Sequence, residues 1–329
     1  MRVIRQYEFG GPDVLRYETL PDPRPGAGQV RIAVDAAGVH VLDTVIRGGH
    51  DGGPFPLPAL PMVPGREVAG VVEEVGPNVD SAWLGRRAVV HLGQASGGYA
   101  ELALAAVDRL YEVPSAISAA IAVAVIGTGR TVVGILEYAR LTSDDVVVIT
   151  AAAGGLGTLF VQEAHARGAT VVALAGGPAK IERARVLGAD IAVDYLPAGW
   201  PDEVRNALDG RGATVVLDGV GGGIGRAAFE LLRIGGRMVR FGWTSGAPAE
   251  IGADKFAAHG VTDLAITGAQ LVPRMAELES AALDKAASGA WRPLVQDFAL
   301  AHAAEAHRAI ESRATTGKVV LIPASRESH

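Results

Sequence analysis

Val146-Val147-Val148-Ile149-Thr150 runs straight into Ala151-Ala152-Ala153-Gly154-Gly155-Leu156-Gly157, and this passage decides the fold. Four β-branched residues in a row followed by Thr read as a short buried strand. The small residues after them mark a tight turn, and Leu156 to Arg167 has the composition of a helix closed by Gly168. Small residues at such a junction let the backbone approach a pyrophosphate, and the helix start offers free N–H groups and a positive dipole end to the anion. In the spacing G-x-G-x-x-G the first place is taken by Ala152 and the others by Gly154 and Gly157, with Ala153, Gly155 and Leu156 completing the cradle.

Outward from this turn, Thr170 to Ala175, Asp190 to Asp194, Thr214 to Asp218 and Arg237 to Phe241 are further short strands, with helical stretches at Ala179 to Leu187 and Gly225 to Leu232. Strand and helix alternate at βαβ spacing, which predicts a parallel, doubly wound sheet of Rossmann type joined by right-handed crossovers. Before about Ile121 the texture differs. Short β-branched runs at Val30 to Val34, Val68 to Val75 and Arg87 to His91 are broken by Gly and Pro, Gly76-Pro77-Asn78 reads as a turn, and Pro54 to Pro64 as an irregular loop. After the βαβ region come an amphipathic stretch, Ala301 to Ile310, and a last strand, Lys318 to Ile322. The expected organisation is α/β: a β-rich domain over 1–122, a dinucleotide-binding domain over 123–267, and a return of 268–329 to the first domain.

The end of the strand after the Gly-rich turn discriminates between nicotinamide cofactors, because an acid there accepts hydrogen bonds from the adenine ribose. None is present in Ala175-Gly176-Gly177-Pro178-Ala179-Lys180. Gly176 leaves room for a 2′-phosphate, and Lys180, with Arg183 nearby, offers positive charge to it, so NADPH is expected over NADH. Lys180 as a solvated cation on a first helical turn is the open alternative.

Composition narrows the remainder. The 329 residues are enough for two cores, and 30 basic against 36 acidic residues, without a basic run, argue against nucleic acid as a partner. Met1 to Tyr7 holds no apolar run of signal-peptide length, and the apolar stretch Ile117 to Ile126 is too short to span a bilayer, so a soluble, cytoplasmic protein with no membrane partner is expected. The absence of cysteine removes disulfides, thiolate nucleophiles and thiolate metal sites together.

Several spaced motifs in one order carry a resemblance over nearly the whole chain. They are Gly38-Val39-His40-Val41-Leu42-Asp43-Thr44-Val45-Ile46-Arg47-Gly48, Pro64-Gly65-Arg66-Glu67-Val68-Ala69-Gly70, the turn at Gly154, Phe241-Gly242-Trp243-Thr244-Ser245-Gly246, and Glu311-Ser312-Arg313-Ala314-Thr315-Thr316-Gly317-Lys318. In these the chain resembles the zinc-independent quinone oxidoreductases, the zeta-crystallin type, of the medium-chain dehydrogenase/reductase superfamily. The resemblance implies a GroES-like substrate domain built from both chain ends and a Rossmann domain that binds NADPH. It also implies that Lys180 and Tyr195 flank the 2′-phosphate, that Gly154 to Gly157 hold the pyrophosphate, and that Phe241, Gly242, Trp243 and Thr244 meet the nicotinamide half. Arg313 would reach the cofactor from the C-terminal segment, Thr131 would touch the nicotinamide from a helix start, and a homodimer is the expected assembly. Tyr195 and Arg313 have ordinary structural readings beside these, and Thr131 an equal one in starting its helix.

The zinc-dependent relatives need a thiolate and a histidine where this chain has His40 and Arg66. A guanidinium repels zinc, so no metal site is expected. The chain also departs from many quinone reductases, which have Asn and Tyr where His40 and Val45 stand. Hydride transfer without a Lewis acid suits quinones and α,β-unsaturated carbonyls. His40 is the first candidate to donate to the developing oxyanion, with local packing or hydrogen bonding as its alternative; Asp43 and Arg47 are weaker catalytic candidates, with a structural pair that holds the loop as theirs. The other histidines, His91, His165 and His259 among them, show no spacing that suggests a site. A cofactor-binding protein with little turnover, or a specialised enoyl or imine reductase, remains as an alternative function.

Overall fold

The computed structural model describes residues 1–50, 56–94 and 96–324. Contacts divide the chain into two units, Met1–Thr128 with Ala282–His329, and Gly129–Ala281. Both divisions fall later than the sequence texture sets them. Texture changes where strand-like runs stop, whereas the divisions observed fall inside two helices, Thr128–Ala139 and Met275–Ala287.

The first unit opens with an antiparallel pair, β1 (Arg2–Gln6) and β2 (Leu15–Thr19). It continues through β3 (Gln29–Val39), α1 (Val41–Gly48), β4 (Glu67–Val75), β5 (Arg87–His91), β6 (Leu102–Ala106), β7 (Tyr111–Glu112) and α2 (Ala119–Ile126). The first half of β3 alternates half-buried and buried residues, the pattern of a strand with one face on a core. A helix inside this β-rich stretch, α1, was hidden from the sequence reading by its neighbours. It starts where the His40 N–H donates to Asp43 Oδ2 at 2.8 Å and ends at Gly49 with φ of 72°. The first two residues of the expected irregular loop, 54 and 55, lie outside the described residues; 56–64 form no helix or strand beyond an isolated bridge at Met62.

The second unit follows the order α3 (Thr128–Ala139), β8 (Val146–Ile149), α4 (Gly155–Ala166), β9 (Thr170–Ala175), α5 (Pro178–Val186), β10 (Ile191–Asp194) and α6 (Trp200–Ala207). Then come β11 (Ala213–Asp218), α7 (Gly222–Phe229), β12 (Leu232–Arg240), α8 (Ala253–Ala258), β13 (Thr262–Ala265), α9 (Gly268–Leu271) and α10 (Met275–Ala287). Its six strands pair in parallel in the order β10-β9-β8-β11-β12-β13. β8 is buried at every residue, as a central parallel strand covered on both faces should be. β12 starts at Leu232, where the sequence suggested a helix still running; α7 stops at Phe229.

The chain returns through β14 (Val295–Ala299), α11 (Ala303–Glu311) and β15 (Lys318–Ile322). The first unit's main sheet is ordered β14-β15-β3-β4-β5-β7, with β6 also on β3. α2, apolar all round, packs on β3, β4 and β5 with five of its residues buried.

Candidate active site

In the second unit the strand order reverses between β8 and β11, the place where open parallel sheets bind ligands beyond their C-terminal strand ends. The predicted turn lies there. Ala151 takes a left-handed φ of 48°, and the Ala152 N–H donates to Leu174 O at 2.9 Å, which ties the turn to β9. Ala153 is buried, while Gly154, Gly155 and Leu156 are half-buried. A Cβ on Gly157 would come within 2.2 Å of Ala151 O, so α4 can start this close to the strand only with glycine there. The first-turn N–H groups of Gly155, Leu156 and Gly157 have no carbonyl one turn before them, which leaves the positive end of the helix for an anion.

Three of the other predicted residues gather at the end of β9. Gly176 follows the strand, the Tyr195 N–H donates to Ala175 O at 3.2 Å, and Lys180 sits half-buried in the first turn of α5 behind Pro178. Phe241 to Thr244 lie beyond β12, beside the end of β11. The Phe241 N–H donates to Asp218 O at 3.0 Å, the Thr244 N–H to Gly219 O at 3.2 Å, and the Phe241 ring lies 5.2 Å from that of Phe160. Gly242 is half-buried, and Trp243 and Thr244 are exposed. Thr131 stands in the first turn of α3. Arg313 belongs to the first unit, exposed at the end of α11 with φ of 57° and its N–H on Ile310 O.

Between β8 and β11 lies a brace that the sequence did not reveal. Asp218 is buried; Thr150 Oγ1 donates to its Oδ1 at 2.9 Å, and the N–H groups of Val220 and Gly221 donate to Oδ1 at 3.0 and 3.2 Å.

In the first unit strand register assembles a polar cluster. Glu67, first in β4, is the cross-strand partner of His91, last in β5. Val39 of β3 is opposite Val319 of β15, so the next pair outward is His40 and Lys318. Glu67 has no exposed surface, and its carboxylate lies 2.7 Å from His40 Nε2 and 2.8 Å from Lys318 Nζ. Among the described residues neither carboxylate oxygen takes an aligned hydrogen bond, so charge rather than direction holds it. Two glycines make the space: a Cβ on Gly38 would lie 2.3 Å from Oε2, and one on Gly127 1.7 Å from Oε1. Burial alone would push the Glu67 carboxyl up, but the charges of His40 and Lys318, with His91, outweigh it and hold the carboxyl well below the ordinary range. His91, set aside on spacing, thus belongs to the cluster. The signal was its place at a strand end opposite Glu67, which spacing along the chain does not carry.

Asp43 and Arg47, candidates from sequence, are buried and committed to the fold. Asp43 accepts from the His40 N–H and, at 3.1 Å, from Tyr99 Oη, and its Oδ1 is 3.5 Å from Arg66 Nε. Arg47 Nε donates to Gly10 O at 3.0 Å, its Nη1 lies 3.3 Å from His307 Nδ1, and its Nη2 bonds Glu311. Tyr99 Oη completes the network at 3.1 Å from His307 Nε2. The structural pair that Asp43 and Arg47 could have made is not formed; each reaches a different element. His40 differs from both, its side chain 21 % exposed.

His40, Glu67 and His91 bring one possible ligand atom each within 4.8 Å of the others, the spacing of a metal site. Their chemistry does not fit one. The Lys318 ammonium lies 3.0 Å from His40 Nε2 and against Glu67, on the two atoms a metal would need. His91 Nδ1 accepts the Gly93 N–H at 3.1 Å, so a neutral His91 carries its proton on Nε2 and has no lone pair left for an ion.

Residues 26–115 match the family described as alcohol dehydrogenase GroES-like domain, and residues 155–285 the family described as zinc-binding dehydrogenase. The chain is 32% identical to a 2-haloacrylate reductase from Burkholderia sp, over 96% of this chain and 97% of the relative. It is 32% identical to the quinone oxidoreductase of Sus scrofa, over 98% of each. The crystal structure of Escherichia coli quinone oxidoreductase complexed with NADPH superposes with a TM-score of 0.85 at 28% identity, covering 98% of this chain and 100% of that one. With both domains matched in order and full-length relatives above 30% identity, the chain belongs to the quinone oxidoreductase family, zeta-crystallin type, of the medium-chain dehydrogenase/reductase superfamily.

Proposed function

We propose that this oxidoreductase uses NADPH to reduce a quinone or an α,β-unsaturated carbonyl, with His40 as the donor to the developing oxyanion, and that it works as a homodimer. The observation that carries the cofactor reading is the end of β9, where Ala175 and Gly176 replace the acid that would hold a free ribose, with Tyr195 bonded to Ala175 and Lys180 in the first turn of the helix that follows. The α4 start, Gly155 to Gly157, supplies N–H donors for the pyrophosphate. NADPH, when bound, supplies the hydride. The protein then has to orient the acceptor and meet the negative charge that the hydride drives onto its oxygen. Among His40, Asp43 and Arg47 only His40 keeps exposed surface as well as a charged buried partner. Relatives that reduce quinones and a 2-haloacrylate, both conjugated electron-poor acceptors, support the substrate class. For the homodimer, β13 is an edge strand with an exposed face open to pairing.

The test is oxidation of NADPH and of NADH with a 1,4-quinone and with an enone, in wild type and Lys180→Ala. NADPH should be preferred by at least about tenfold in kcat/KM, the effect of one well-placed charge contact, and Lys180→Ala should erase most of that preference. Equal use of both cofactors by the wild type would overturn the NADPH assignment, and silence with both acceptors would overturn the substrate class.

A further inference from the structure

A carboxylate with no exposed surface, clamped between the backbones of Gly38 and Gly127, has to be offset by charge, because no aligned hydrogen bond from a described residue reaches it. The offsetting charge that is always present is Lys318, 5 % exposed and fixed by its place as the first residue of β15. From that place its Nζ also lies 3.0 Å from His40 Nε2, on the same nitrogen that Glu67 approaches at 2.7 Å. One imidazole nitrogen therefore sits between a fixed anion and a fixed cation. We infer that Lys318 is a positioning residue for the reaction: its ammonium takes the place of a metal cation in this cluster and, balanced against Glu67, sets how readily His40 gives up its proton to the reduced acceptor.

The balance follows from elementary electrostatics. Glu67 alone would bind the His40 proton tightly and make the imidazolium a poor acid, while Lys318 opposes that and raises its donating power. The acceptor needs a hydride, which bound NADPH would supply, and one proton on its oxygen, which passes from Nδ1 of the His40 imidazolium, the ring nitrogen that Glu67 and Lys318 do not contact; the neutral imidazole then remains with its Nε2 between Glu67 and Lys318 until solvent returns the proton. Among the described residues, charged and titratable groups from four elements are placed around the ring. They are Glu67 of β4, Lys318 of β15, His91 of β5 with its ring centroid 6.4 Å away, and Asp43 of α1, whose carboxylate takes the His40 backbone N–H.

The inference rests on His40 as the donor, and one set of variants separates the two. NADPH-dependent quinone reduction is followed from neutral to alkaline pH in wild type, His40→Gln, Lys318→Met, Lys318→Arg and Glu67→Gln. His40→Gln should lose about 10²–10³-fold in kcat, the cost of one oxyanion donor. Lys318→Met should carry the alkaline fall in rate to higher pH by about one unit, Glu67→Gln to lower pH by a similar amount, and Lys318→Arg should restore the wild-type position. A His40→Gln enzyme with wild-type rate overturns the donor reading and this inference with it. If His40→Gln is inactive yet neither charge variant moves the alkaline fall, the donor stands and the role of Lys318 is overturned. Should one of the two charge variants not fold, the other decides: its alkaline fall should move by about one unit in the direction given for it, and a fall at the wild-type pH would overturn the inference.

Discussion

Two buried carboxylates, one in each unit, are held in opposite ways. Asp218 of the parallel sheet takes aligned hydrogen bonds from the Thr150 hydroxyl, at the end of the neighbouring β8, and from backbone N–H groups of the loop that follows it. Glu67 of the β-rich unit takes none among the described residues and is held by His40 and Lys318, which come from positions far away in the chain. Directional bonds from the backbone fix a shape and are indifferent to pH over the range where the carboxylate stays charged. Charges in contact fix protonation states as well as shape, and they fail together when one is removed. The first arrangement is a brace, and the second couples the fold to a titrating side chain with exposed surface.

The largest expected effect follows from that coupling. Lys318→Met leaves Glu67 buried without its permanent counter-charge and should cost about 3–5 kcal/mol of stability. Adding Glu67→Gln to it should recover most of the loss, since no charge then remains to be desolvated. Urea unfolding of the two variants measures both numbers. If the single and double variants were equally destabilised, the damage would lie in packing around Gly38 and Gly127, and the contrast with Asp218 would fail.

A second prediction introduces a charge where none belongs. His307 has no exposed surface, and burial first, then the Arg47 guanidinium, lowers its pKa from 6.5 to about 4 against the pull of Asp43 and Glu311. The folded state thus refuses a proton that the unfolded chain accepts. Its contribution is complete above pH 6.5 and is lost progressively as pH falls towards 4, so that between pH 7 and 5 the loss should be about 2 kcal/mol. In His307→Gln that part of the pH dependence should vanish. A variant as acid-sensitive as the wild type would place the effect elsewhere.

The same division governs what the sequence disclosed. The turn from Ala151 to Gly157 was legible because strand, turn and helix signals lie side by side in the chain, and the strands Arg87–His91, Thr170–Ala175 and Lys318–Ile322 could be read to the residue from their β-branched runs. The residues around the end of β9 were equally legible, since adjacent βα units bring them together. The Glu67 cluster was not. Its members meet only through the registers of β3 with β15 and β4 with β5, and hydrophobic periodicity states which residues are buried without stating which buried charges meet. Asp43 and Arg47 illustrate the same point: their nearness in the chain allows a structural pair, while the fold turns one to Arg66 and Tyr99 and the other to His307 and Glu311. β14 and α10 escaped because neither has a clean apolar period.

The smallest effect tests the brace. Thr150→Val removes one donor to Asp218 Oδ1 and the acceptor for the Gly219 N–H, which bonds Thr150 Oγ1 at 3.0 Å, but the Val220 and Gly221 N–H groups still reach the carboxylate. Because most of the directional set survives, the cost should be only about 1 kcal/mol. Because no ion pair is broken, that cost should be the same at low and high salt and at pH 5 and 8. Lys318→Met, by contrast, should show a loss that changes with pH as His40 and Glu67 exchange protons. Unfolding midpoints of the two variants on a grid of salt and pH compare them directly. A Thr150→Val cost that varied with pH would mean that Asp218 depends on charge after all, and the two carboxylates would then be held alike.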